Sequence, residues 1–181
     1  RYVNGKNYFT KQWNIANTGA TDYTDVRFIQ GGDAYFANSD SACGYHNADL
    51  DMVYLKNTNA AGLMGFYGGH DSRSDRYFAG DLQTNFFGMA AYCLSNSVNT
   101  NFTDAGYSLQ WNTNSLAAGT EWNITAYEKW TDAGDTAIPL AEWKRLAEKI
   151  TTIPESVTPH QLVRKVYDDR AAMGRGDIPV D

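Results

Sequence analysis

The chain has 181 residues, a formal net charge of −6 and 14% aromatic side chains, enough for one full domain plus an appendage. An acidic surface repels a phosphate backbone, and the chain has no basic cluster or RNA-type aromatic motif, so nucleic acid is not expected as a partner. The apolar runs fall well short of the roughly 20 residues a membrane-crossing helix needs, so membrane insertion is not expected either.

The composition changes near Asp135. All 4 prolines lie at or beyond Pro139, whereas all 8 phenylalanines and every asparagine precede residue 124. Up to Asp135 the chain carries 8 Lys and Arg against 14 Asp and Glu; from Thr136 it carries 7 against 7. The polar, glycine-containing stretch Thr131 to Thr136 reads as a linker. Three parts follow: a domain at 1–132, a linker at 133–137 and a tail at 138–181. Because the chain opens on Arg1 rather than Met, the expectation is that an upstream segment, a secretion signal among the options, has been removed.

In chain order, strand-like segments run over Tyr8 to Ile15, Asp25 to Ile29, Leu50 to Lys56, Leu63 to Tyr67, Tyr77 to Ala79, Ala90 to Leu94, Tyr107 to Trp111 and Glu121 to Trp130. Gly, Asn and Asp clusters separate them. In the last segment Trp122, Ile124, Ala126 and Trp130 fall on one side and Asn123, Thr125, Tyr127 and Lys129 on the other, so one face is core and one is wet. Tyr107, Leu109 and Trp111 alternate likewise, and the last two segments are expected to pair across Asn112 to Thr120. These signals predict an all-β, antiparallel two-layer β-sandwich, followed by a C-terminal helical hairpin.

The many aromatics in this part serve two readings. Most rings suit a core, since aromatics favour strands and bury large areas. Tyr35, Tyr45, Tyr67, Tyr77 and Tyr92 lie near loops and could instead form a carbohydrate platform, with neighbouring Asn, Asp and Gln bonding the sugar hydroxyls. Asp33, Asn38, Asp40, Asn47, Asp49 and Asp51 supply the hard oxygens that calcium takes in sixes to eights. No EF-hand register accompanies them, and the same residues make ordinary turns. Calcium is therefore the one metal considered as a cofactor.

Cys43 and Cys93 make no metal-binding spacing and suit either a disulfide or two buried thiols, the disulfide being the expectation. For catalysis, Asp33, Asp49, Asp51, Asp71, Asp75, Asp104, Glu121 and Glu128 offer carboxylate pairs of the kind a glycosidase uses, without selecting one. His46 and His70 have neither nucleophile-elbow nor metal spacing around them and read as ordinary side chains.

The phrases VRFIQGGDAYFANSDS, GLMGFYGG and DAGYSLQWNTNSLAAGTEWNITAYEKWT resemble modules of large secreted or surface-attached bacterial proteins. The likeness covers nearly all of residues 1 to 132. It implies an extracellular or cell-surface setting and a binding or scaffold role, and it carries no catalytic residues.

From Leu140 the period lengthens. Leu140, Trp143, Ala147 and Ile150 form one apolar stripe, and Thr158 with Pro159 opens a second helix carrying Leu162, Val163, Val166, Tyr167 and Met173 up to Gly174. Neither helix could bury its stripe alone, so the tail is a candidate for self-association. Its phrase PLAEWKRLAEKITTIPESVTPHQLVRKVYDDRAAMGRGDIPVD resembles a helical stretch of the thiamine-dependent first component of the 2-oxoglutarate dehydrogenase complex. That resemblance places no cofactor or substrate residue here, and His160 inherits no role from it. The first part has no Gly-Asp-Gly motif, so no thiamine diphosphate is expected, and a fusion or gene-boundary origin explains the tail. Arg175-Gly176-Asp177 reads as a turn, and the Asn101 and Asn123 sequons carry little weight.

The functional expectation is a non-catalytic extracellular bacterial binding or adhesion module, binding a glycan or a cell-surface protein, with structural calcium. Two alternatives stand beside it: an assembly module without a small ligand, and a carbohydrate-active enzyme using paired carboxylates.

Overall fold

The computed structural model describes residues 8–58, 62–68 and 72–131. The linker, the helical tail with His160 and the Arg175-Gly176-Asp177 turn, and His70 and Asp71 lie outside the described residues. The described part is all-β. Its strands are β1 (Tyr8–Ala16), β2 (Tyr23–Asp33), β3 (Ser41–Asn47), β4 (Met52–Asn57), β5 (Gly62–Gly68), β6 (Arg76–Asp81), β7 (Ser97–Val98), β8 (Thr103–Leu116) and β9 (Glu121–Thr131). One helix, α1 (Leu82–Ala90), interrupts them.

The strands run in the order β1-β9-β5-β4-β3-β8-β6-β7, with β2 on β8. Their pairings are antiparallel except for β6 with β7. Only two residue pairs join β3 to β8, Ser41 with Asp104 and Ala42 with Thr103. At that short junction the array turns, so that β1-β9-β5-β4-β3 forms one layer and β2-β8-β6-β7 the other. Rings from both layers meet between them: Phe66 of β5 lies edge-on to Tyr107 and Trp111 of β8, with centroids 5.4 and 6.4 Å apart. Trp13 of β1 reaches Phe28 of β2 at 5.1 Å. Val53, Leu55, Phe66, Leu109 and Ile124 fill the space between and are almost wholly buried.

Where β3 approaches β6, glycine is required. A Cβ on Gly44 of β3 would sit 2.2 Å from the carbonyl oxygen of Ala79 in β6, so any other residue would push the strands apart.

The structure departs from the sequence expectation in four places. Ser41 to Asn47 is a strand, where the sequence suggested ligand-bearing loops. Ala90 to Leu94 is the end of α1 and its exit turn, with Tyr92 at φ 52°. The helix forms because the Asp81 carboxylate caps it, accepting from Thr84 N at 2.8 Å and Thr84 Oγ1 at 2.6 Å. Those bonds hold the Asp81 carboxyl below the ordinary carboxylate range. The helix docks on the outer face of β8 through Asn85, whose Oδ1 accepts from Ser108 Oγ at 2.6 Å.

Third, β8 and β9 do not pair with each other. Their connection carries the chain from one layer to the other, and so does the one between β1 and β2. Asn17 pins both crossovers: its Nδ2 donates to Thr21 O and Leu116 O, each at 2.9 Å, and its own N–H donates to Thr120 O at 2.9 Å. Fourth, the wet side of β9 is wet only in its first half, since Tyr127 and Lys129 are buried, as is Glu128 on the inner side.

Candidate functional site

Strand register brings four carboxylates to one end of the second layer. Asp33 ends β2 opposite Gly106, Asp81 ends β6 opposite Ala105, and Asp104, the second residue of β8, lies opposite Ser41. Asp40 joins them because Ala105 N donates to its carbonyl at 2.8 Å. The loop from β2 to β3 is held there by Ala34 N, which donates to Ala105 O at 3.0 Å, and closes in a bridge between Phe36 and Ser39 with Ala37 and Asn38 at positive φ. Next to Ala34 stands Tyr35, 71% exposed.

The electrostatics of this end are self-repelling. Loss of hydration, and then the charges of Asp33, Asp40 and Asp81, push the Asp104 carboxyl above the ordinary range. An exposed tyrosine in the loop that leads from Asp33 to Asp40, at an end rich in acceptor oxygens, suits a ligand with an apolar face and many hydroxyl donors.

The six expected calcium ligands do not converge. Asp33, Asn38 and Asp40 belong to the acidic end, whereas Asn47 ends β3 at its far end and Asp49 and Asp51 follow it. The 7 residues of β3 separate the two groups by about 20 Å at the usual strand rise, while calcium binds oxygens at about 2.5 Å. Among the described residues no group of three His, Cys, Asp or Glu is placed to hold a metal ion.

At the far end those residues build structure. Asn47 Oδ1 accepts from Leu50 N at 3.1 Å. The buried Asp51 carboxylate accepts from Ser74 N at 2.6 Å and Ser74 Oγ at 2.7 Å, and Arg73 donates to Ala48 O at 2.7 Å, so the two loops are tied together. His46 stacks on Tyr77 with centroids 3.5 Å apart. Burial lowers the His46 pKa; the Asp51 charge opposes that shift and Arg73 adds to it.

The five tyrosines do not share one platform. Tyr77 packs between the layers beside the core, and Tyr45 stacks on Tyr54 at 5.1 Å. Tyr67 is set by its backbone in β5, opposite Met52 and Tyr127. Tyr35 and Tyr92 are exposed, Tyr92 at the exit of α1, where its carbonyl accepts from Arg27 at 3.1 Å. The rings Phe86 and Phe87 on α1 are 50% and 67% exposed, in a segment whose sequence carries no apolar stripe to announce a helix.

The expected disulfide is not formed. Cys43 is a buried thiol on β3 and Cys93 an exposed one after α1; both are free. A disulfide needs its two sulfurs about 2 Å apart.

Three other candidate catalytic carboxylates accept hydrogen bonds. Asp75 accepts from Asn112 N at 2.6 Å, Glu121 from Asn14 Nδ2 at 2.5 Å, and Glu128 from the Tyr107 hydroxyl at 3.0 Å.

No protein-family model matches this chain. Two curated relatives match a part of it. The 2-oxoglutarate dehydrogenase E1 component of Cupriavidus necator is 59% identical over 61 residues, which is 34% of this chain and 6% of that protein. That of Coxiella burnetii is 35% identical over 68 residues, 36% of this chain and 7% of that protein. About a third of this chain is thus similar to a small segment of that enzyme component. It is the same family that residues 138–181 resemble.

Proposed function

We propose that the β-domain is a non-catalytic binding module, working at the cell surface or outside the cell, whose acidic end holds a glycan. The observation that carries this reading is the 71% exposed Tyr35, two residues along the chain from Asp33, at the end of the layer where Asp33, Asp40 and Asp81 act on Asp104. A sugar offers a C–H face to the ring and hydroxyl donors to the oxygens; carboxylates accept such bonds more strongly than neutral groups do. The cell-surface setting rests on the likeness of residues 1–132 to secreted bacterial modules. A structural calcium ion has no support from the arrangement of the six oxygens, and the reading does without one. The dehydrogenase similarity covers too little of that enzyme to suggest its chemistry or its cofactor here.

A glycan array of plant, microbial and host sugars tests the proposal. The expected result is binding to one sugar class, lost by at least tenfold in Tyr35→Ala and kept in Tyr92→Ala. Failure of every sugar to bind would overturn it.

Phe86, Phe87 and Tyr92 favour a second reading, an assembly module, because exposed aromatics are enriched at protein interfaces. In that case sedimentation would detect a complex that Phe87→Ser dissolves, and the array would stay blank.

A further inference from the structure

Lys11 of β1 and Glu128 of β9 meet on the inner face of the first layer, where Lys11 Nζ contacts Glu128 Oε2. Register sets them diagonally, Lys11 opposite Ala126 and Phe9 opposite Glu128. The Glu128 side chain is 4% exposed and that of Lys11 22%. Nζ lies 5.3 Å from the centroid of Phe9 and 5.4 Å from that of Phe66, and Phe9 leans on Trp130 at 5.0 Å. The other carboxylate oxygen, Oε1, accepts from the Tyr107 hydroxyl at 3.0 Å. Among the described residues no hydrogen bond reaches Oε2, so Lys11 is its partner.

We propose that Lys11 and Glu128 condense into an intramolecular isopeptide bond that ties β1 to β9. The reaction begins with one proton passed from the ammonium to the carboxylate it touches. What remains is a neutral amine against a neutral acid. The amine nitrogen attacks Glu128 Cδ and forms the N–C bond. Negative charge gathers on Oε1, where the Tyr107 hydroxyl already donates. Oε2 keeps its proton, takes a second from the attacking nitrogen and leaves as water when the C–O bond breaks. Nothing is oxidised or reduced: an acid and an amine give an amide and one water.

The geometry supplies what this reaction lacks in solution. Contact between fixed groups replaces a bimolecular encounter, an advantage that reaches about 10⁵ M or more in effective concentration. The rings of Phe9, Phe66 and Trp130 limit the return of water. Burial and the Glu128 charge push the Tyr107 pKa far above its ordinary value, so its hydroxyl stays a donor throughout. The product would close a covalent loop from residue 11 to residue 128 around nearly the whole β-domain.

Intact mass of the folded 181-residue chain, measured after denaturation, tests this directly. The expected mass is about 18 Da below that calculated for the linear, uncrosslinked chain, the loss of one water, and Lys11→Arg shows the full mass calculated for its own sequence. Proteolysis should release a branched peptide joining Lys11 to Glu128. A native chain at its full mass, or a water loss mapped to any other position, overturns the proposal.

Discussion

At the scale of single residues, two titrations have signs that can be worked out. The His46 pKa is lowered in the folded state, so the unfolded chain binds more protons just below the ordinary histidine value of about 6.5. Stability should therefore fall as pH drops through that value. His46→Phe, which keeps a ring against Tyr77, should flatten the slope in a melting series from pH 8 to 5. For Asp104 the sign reverses. Its carboxyl is raised, so the folded state binds the extra proton and loses stability as pH rises through the ordinary carboxylate range. Asp104→Asn should melt higher than the native chain at pH 7, melt with it near pH 3, and keep only part of its advantage in high salt, which screens the repulsion but not the loss of hydration. A variant that melts lower at pH 7 would show that Asp104 has a partner worth more than the repulsion.

At the scale of elements, Asn17 holds both layer crossovers. Asn17→Ala would leave the carbonyl of Leu116 without its buried donor, and chemical denaturation should register a loss of about 2 to 3 kcal/mol. β1, β5 and β9 were legible in the sequence because alternation and β-branched or aromatic residues mark them. β3 was not, since Ser-Ala-Cys-Gly-Tyr-His-Asn is short, holds a glycine required by a close approach, and is flanked by turn-forming residues. Nor was α1: Asn85 is its buried residue and its aromatics face outward, so no apolar stripe announces the helix. The acidic end was half legible. Asp33, Tyr35 and Asp40 sit in one segment, but only pairing with β8 brings Asp81 and Asp104 to them, and pairing between distant strands leaves no local mark. The same limit explains the missed contact between Lys11 and Glu128.

At the scale of the whole molecule, the change of composition near Asp135 marks where the functional reading stops: the site lies entirely in the acidic, strand-rich part. The ligand proposed for this part is rich in hydroxyls and sits at the end of the second layer. Calcium bears on the alternative, because an ion bound only by the folded state must raise the melting temperature. Millimolar calcium should leave it unchanged, given the separation of the six oxygens. The most direct test is an NMR titration of the full chain with an oligosaccharide selected from the array. Amide shifts confined to Asp33, Tyr35, Asp40 and Asp104 are predicted, with Asn47 to Asp51 silent. Shifts centred on Tyr45 and Tyr54, or on α1, would contradict the account.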